Sequence, residues 1–282
     1  MKYNFFNRLF LCLGMLIPIM GMHAVSIISL ESNGNELLVN KEYFFIAVGI
    51  TAALLTSFIP KSIIEKVSPY VYWISIFMLV LVRLIGSQTK GATRWIDIGS
   101  LKLQPSEFSK LGLILLLASI LAKKVPPLGV RDIFSSTIVS LIPFVIILLQ
   151  PDLGTGIIHL LLAFSILLVA GTKLRIFCSS ALLFALASPF LWTLLKPFQK
   201  SRLEVFLGIA DDPLGVGYHV MQSRIAIGAG GFLGKGFGQG SQTQLRFLPE
   251  QSTDFIFSGF CEEWGLVGAS FLILMYLLLS LA

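Results

Sequence analysis

The sequence predicts an all-α polytopic membrane protein: a bundle of about eight transmembrane helices, with a large extracytoplasmic loop between spans seven and eight. Three observations carry this. Of 282 residues, 55% are hydrophobic and only 13% charged, with a mean hydropathy of +0.86, whereas water-soluble domains carry roughly 25% charged residues. Apolar runs long enough to cross a bilayer recur from end to end. None of them alternates with period two, which excludes an outer-membrane barrel.

The first run, MKYNFFNRLFLCLGMLIPIMGMHAVSIISL, sets Lys2 and Arg8 before an apolar stretch, as a secretory signal does. It runs too long and lacks a small-x-small cleavage site, so it is expected to stay as the first span. The eight spans are expected at about 9–30, 43–59, 70–86, 105–122, 133–149, 153–171, 175–195 and 255–281. Basic residues of the short loops put the N-terminus inside. Lys2, Arg8, Lys61, Lys66, Lys123, Lys124, Arg131, Lys173 and Arg175 then collect on the cytoplasmic side.

Two outer segments break that pattern. KGATRWIDIGSLKLQ carries Lys90, Arg94 and Lys102 in a short loop, and residues 196–254 carry Lys196, Lys200, Arg202, Arg224, Lys235 and Arg246. Long loops are exempt from the orientation rule, so only the short loop demands another reason. Within the long one, PFQKSRLEVFLGIADDPLG mixes apolar and charged residues as an interfacial helix does. GYHVMQSRIAIGAGG suits a second short helix. GAGGFLGKGFGQG is dense enough in glycine to permit positive φ and close backbone approach. It is no Walker A loop, since position 229 is Ala and nothing hydroxylated follows Lys235.

Cys12, Cys178 and Cys261 lie far apart inside apolar runs and read as small core residues, with no disulfide or metal spacing. The net charge of +6 is explained by topology. No aromatic-basic module accompanies it, so no nucleic-acid partner is expected.

Three carboxylates open three outward-starting spans: Glu107 in QPSEFSK, Asp152 in QPDLGTG and Asp254 in STDFIF. Each alone is an ordinary helix-start residue, because first-turn N–H groups favour negative charge. Glu107 also stands one turn before Lys110. Together, facing the compartment of the two cation-rich segments, they mark a polar site at the outer leaflet. Acids can deprotonate a hydroxyl or hold a metal, and Arg and Lys can hold a phosphate. Apolar helices can hold a lipid tail. A lipid-linked phosphate fits all three, with enzyme and lipid transporter both open.

GATRWIDIGSLKLQPSEFSK (91–110), QPDLGTG (150–156), DPLGVGYHVMQSRIAIGAGGFLGKG (212–236) and LPEQSTDFIFSGFCEEWGLVG (248–268) resemble, in this order and almost end to end, the SEDS family (shape, elongation, division and sporulation) of polytopic peptidoglycan polymerases. WIDIG and GQGSQTQLRFLPE look closer to its elongation branch than to its division branch. The resemblance implies one SEDS-type membrane domain over 1–282, with the 196–254 loop carrying part of the active site. It implies an inverting glycosyltransferase that polymerises lipid II at the outer face of the bacterial cytoplasmic membrane and releases undecaprenyl diphosphate. The family's essential aspartate falls on Asp254, expected as general base toward the acceptor hydroxyl. Glu107 and Asp152 match family acids expected to support the same cavity.

Arg94, Lys102, Arg202, Arg224 and Lys235 are the candidates for the lipid II diphosphates. Trp95 matches a family aromatic, with an interfacial anchor as its alternative. His159 and Arg83 lie inside spans and are expected to pack or pair there, and nothing near His219 resembles a metal-ligand set. The resemblance implies no cofactor and leaves a divalent cation bridged by the acids open. Expected partners are lipid II, the bilayer and a class B penicillin-binding protein transpeptidase. Family members usually have ten spans against the eight expected here, so the resemblance implies a shortened chain without the usual last two helices, which raises the standing of a truncated, non-catalytic scaffold. Ser252 and Gln251 stand where the family often has His and Arg. A lipid II flippase or carrier, and a non-catalytic scaffold for the transpeptidase, are the alternatives. Acids gathered on one face count against transport.

Overall fold

The computed structural model describes residues 36–89, 92–98, 101–209, 216–245, 247 and 254–281. The expected first span, with Cys12, lies outside the described residues, as do Lys90, Arg246, Gln251 and Ser252. In chain order the elements are α1 (Glu36–Ser57), α2 (Lys61–Ile85), β1 (Ser87–Thr89), β2 (Ala92–Ile98), β3 (Leu101–Leu103), α3 (Pro105–Leu121), α4 (Val130–Leu148), α5 (Leu153–Val169), α6 (Leu174–Leu194), α7 (Pro197–Phe206), α8 (Val216–Ala229), α9 (Ser241–Gln244) and α10 (Ile256–Leu281).

From α3 to α6, and at α10, the expected spans coincide with the helices to within a few residues. Helices α1 and α2 begin earlier than expected, because a helix continues through polar residues such as Lys41 and Glu65 that hydropathy excludes. Val39–Ser57, Lys61–Ile85, Val130–Leu148 and Ile256–Leu278 are long and apolar enough to cross a membrane, and Leu153–Val169 and Leu174–Phe190 are shorter apolar helices. The chain is a multi-pass helical membrane protein. The described residues divide into two compact units: those of 60–195, and those of 36–59 together with those of 196–281.

In the Pro60–Leu195 unit, Tyr72, Leu79, Leu113, Leu117 and Ile147 form the buried centre. Lipid tails are as apolar as Leu, so burial adds little here and close packing must hold the helices. Gly112 supplies it: a Cβ there would lie 2.9 Å from Ser75 Oγ and 3.0 Å from Tyr72 Cα. Polar ties add to it. Ser68 Oγ donates to Ser119 Oγ at 2.9 Å, and Tyr72 Oη donates to the Val139 carbonyl at 2.7 Å. Arg83 Nη1 donates to the Leu149 carbonyl (2.7 Å) and Gln150 Nε2 to the Leu79 carbonyl (2.8 Å), joining the end of α2 to the α4–α5 turn. Such interhelical bonds average about 0.6 kcal/mol each, so packing outweighs any one of them.

The short cationic loop is not irregular. It folds as an antiparallel sheet in the order β1–β2–β3, with Ser87 opposite Trp95 and Asp97 opposite Lys102. A second departure is Cys178, which is exposed on α6 rather than packed, while Cys261 is buried.

In the other unit, α7 starts with Pro197 at its first position, and the Lys196 N–H donates to Gln199 Oε1 at 3.0 Å. Helices α7 and α8 occupy the two stretches expected to be helical. Helix α10 is interrupted at Gly265, whose φ of 64° and ψ of −165° are not helical. Only glycine adopts that region freely. Its missing Cβ also leaves room for the backbone of Phe232 and Gly234.

Candidate functional site

Asp152 caps α5. Its Oδ1 accepts from the Thr155 N–H at 3.3 Å and its Oδ2 from Thr155 Oγ1 at 2.8 Å. The carboxylate is buried, and Arg94 Nε on β2 stands 3.5 Å from Oδ2. That Nε makes no hydrogen bond among the described residues. One turn on, His159 is fully buried. Its Nδ1 lies 2.8 Å from the Thr155 carbonyl, so Nδ1 carries the proton there, and Nε2 lies 2.6 Å from Ser109 Oγ of α3.

Glu107, in the first turn of α3, is half exposed and pairs with Lys110 at 2.7 Å. The two border a shallow hollow of about 370 Å³ with Phe108 and Leu111. Lys102 is exposed on β3, and Trp95 is half-buried on β2. In this unit, then, Arg94 is brought to Asp152 and Glu107 to Lys110.

Asp254 belongs to the other unit and stands two residues before α10. It is exposed, and no hydrogen bond or ion pair engages it among the described residues. Its neighbour Phe255 stacks on His219 of α8, ring centroids 6.2 Å apart and planes at 12°. Ser223 and Ser258 share a hydrogen bond of 2.7 Å that fixes α8 against the start of α10. Arg202 on α7 and Arg224 on α8 are exposed.

Lys235 is differently placed. Its ammonium donates to Glu262 Oε1 at 2.7 Å and to Ser241 Oγ at 2.7 Å. Glu262 is fully buried and accepts further bonds from Ser241 Oγ (3.3 Å), Gln242 N (3.0 Å), Thr243 N (3.2 Å) and Thr243 Oγ1 (3.0 Å). Beside it Glu263 is buried too, with Oε2 unpartnered among the described residues. Glu262 lies inside the span expected at 255–281 and is not among the site residues that the sequence singled out. The signal is that a charge inside a span requires a partner, and Lys235, expected at the lipid II diphosphates, is the cation that meets it. Among the described residues no three His, Cys, Asp or Glu side chains gather into a metal-ligand set.

Chemically, the arrangement offers one accessible carboxylate at a helix start with exposed guanidiniums in the same unit. It also offers a buried aspartate, Asp152, paired with the half-buried Arg94 at the start of another span.

Comparison with known proteins covers the whole described chain. The FtsW/RodA/SpoVE family model, described as cell cycle protein, matches residues 4–282. The peptidoglycan glycosyltransferase MrdB of Escherichia coli strain K12 is 36% identical over 281 residues, 99% of this chain and 76% of that protein. Among solved structures, a chain from work described as the structural coordination of polymerization and crosslinking by a peptidoglycan synthase complex superposes with a TM-score of 0.75. It is 28% identical, over 99% of this chain and 76% of that one. The rod shape determining protein RodA of Thermus thermophilus gives a TM-score of 0.61 at 25% identity, over 94% of this chain and 71% of that one.

Proposed function

Because the chain belongs to the FtsW/RodA/SpoVE family, we propose that it is a peptidoglycan glycosyltransferase that polymerises lipid II during cell elongation. The observation that carries this is the 36% identity to MrdB along 99% of the chain. The reaction takes place at the outer face of the bacterial cytoplasmic membrane, with the N-terminus inside and residues 196–254 outside, in keeping with the distribution of short-loop Lys and Arg.

The 4-hydroxyl of the acceptor GlcNAc attacks the anomeric carbon of the growing strand, which is held through diphosphate to undecaprenol. The new C–O bond forms as the bond to the diphosphate oxygen breaks, its electron pair leaves on undecaprenyl diphosphate, and the carbon inverts. Asp254 takes the hydroxyl proton. Its exposure and lack of a described partner support that role, which is worth about two to four orders of magnitude in rate. Arg202 and Arg224 bind diphosphate oxygens in the same unit, offsetting the leaving group's charge. In the Pro60–Leu195 unit, Arg94, Lys102 and Trp95 contact substrate, and Glu107 and Asp152 hold the local charge pattern that Arg94 and Lys110 complete. Lys235, engaged with Glu262, is set apart from these. The partner is a class B penicillin-binding protein transpeptidase; the likeness to a chain of a peptidoglycan synthase complex supports such a pairing.

The test is polymer synthesis. The purified chain with its transpeptidase partner and lipid II is expected to give glycan polymer on a gel, and D254N none above background. Equal polymer from D254N removes Asp254 from the mechanism. Absence of polymer from the unaltered chain favours the scaffold.

A further inference from the structure

The interruption of α10 leaves backbone groups without helical partners. In a membrane each orphan N–H or C=O costs several kcal/mol unless protein satisfies it. The glycine-rich segment does so from both sides. Lys235 N and Gly236 N donate to the carbonyls of Glu262 and Glu263, at 3.0 and 3.1 Å, closing the end of the first half-helix. Leu266 N and Val267 N donate to the carbonyls of Gly231 and Phe232, at 2.9 and 3.1 Å, closing the start of the second. Glycine is required for this approach: a Cβ at Gly234 would fall on the Glu263 backbone, and one at Gly240 would lie 2.7 Å from Glu262 Oε2.

The side chains repeat the backbone's logic. The Glu262 carboxylate binds one end of this segment through the Lys235 ammonium and the other through Ser241, Gln242 and Thr243. Gathering so many donors on one buried anion fixes the segment along the first half of α10. Asp254 stands eight residues before Glu262, roughly two helical turns away.

We infer that the Lys235–Glu262 pair is a positioning clamp: it locks the glycine-rich segment 230–245 onto the broken helix and so fixes the direction in which that helix presents Asp254. This rests on the proposed glycosyltransferase reading for its catalytic consequence, though not for the clamp itself. Lys235 and Glu262 act through the helix and are positioning residues.

The test compares the unaltered full chain with K235M, K235R and E262Q, each with the transpeptidase partner in nanodiscs. Lys235 is partly exposed, so K235M serves where E262Q fails to fold. K235M is expected to lower kcat per folded molecule roughly ten- to a hundredfold, since small displacements of a catalytic group cost that much. The KM for lipid II stays within about threefold, and K235R restores most of the rate. Amide hydrogen exchange over 230–245 accelerates in K235M and E262Q. A KM rise of about tenfold at unchanged kcat would return Lys235 to the substrate diphosphate and overturn the clamp. A lower melting temperature with unchanged kcat per folded molecule would make the pair merely structural, which also overturns it. The exchange measurement needs no turnover. Unaltered exchange in both variants sinks the clamp whether or not polymer forms, whereas absence of polymer from the unaltered chain strikes the glycosyltransferase reading alone.

Discussion

Asp254 and Glu262 are carboxylates eight residues apart at the start of one apolar helix, yet their surroundings are opposite. Asp254 is exposed and meets no described partner. Glu262 has no exposed surface and is filled by an ammonium, two hydroxyls and two backbone N–H groups. Charge near hydrocarbon persists only where protein satisfies it or where it has a task in contact with water or substrate. Glu262 represents the first solution and, on the proposed function, Asp254 the second; exposure and partners separate the two where hydropathy alone cannot.

The sharpest test of the contrast is the largest effect. D254N should cut polymerisation by about 10²- to 10⁴-fold while moving stability by no more than about 0.5 kcal/mol, as for an exposed, unpaired side chain. Activity assay and thermal melt of the same preparation decide it. A large loss of stability would place Asp254 with Glu262 among the structural acids.

Glu262→Ala should behave in the reverse sense. Breaking a buried pair from one side costs about 3–5 kcal/mol. Lys235 keeps 30% of its side chain exposed, so the ammonium left behind can hydrate, and the lower end is expected. A denaturant melt in detergent would show it. A change under about 1 kcal/mol would mean that the carboxylate's bonds are no better than those it makes unfolded.

Asp152 lies between the extremes. It is buried like Glu262 but bound by one residue's N–H and hydroxyl and one loosely placed guanidinium. Asp152→Ala should cost about 1–2 kcal/mol, the usual worth of an N-cap, read as a fall in melting temperature. Asp152→Asn, which keeps a capping oxygen, should restore most of it. No restoration would shift the stabilisation from the cap to Arg94.

How far these roles were legible depended on sequence distance. The Asp152 cap and the Glu107–Lys110 pair lie within one turn, so spacing alone pointed to them. Helix positions were legible because apolar runs have membrane length. The pairs Arg94–Asp152 and Lys235–Glu262 join distant segments, and no periodicity encodes such a contact. The sheet at Ser87–Leu103 was not legible, because two of its strands have only three residues and TRWIDI sets Trp95 beside Ile96 instead of alternating. Cys178 was misplaced for a deeper reason. A residue facing lipid and one facing a neighbouring helix meet the same apolar medium, so hydropathy cannot separate them.

Glu107 gives the smallest expected effect and the finest division between the two kinds of acid. Its ion pair with Lys110 is close at 2.7 Å, but Glu107 is 54% exposed, and such surface pairs contribute only about 0.2–1 kcal/mol. Glu107→Gln should therefore leave the melting temperature nearly unchanged. If polymerisation also holds, Glu107 is a helix-start residue and no more. If polymerisation falls while stability holds, Glu107 joins Asp254 as an acid retained for its chemistry, and K110M should reproduce the defect by removing the cation that keeps the carboxylate in place. A loss of stability matching that of Glu262→Ala would break the scheme, because exposure would then no longer predict which carboxylates the fold has satisfied.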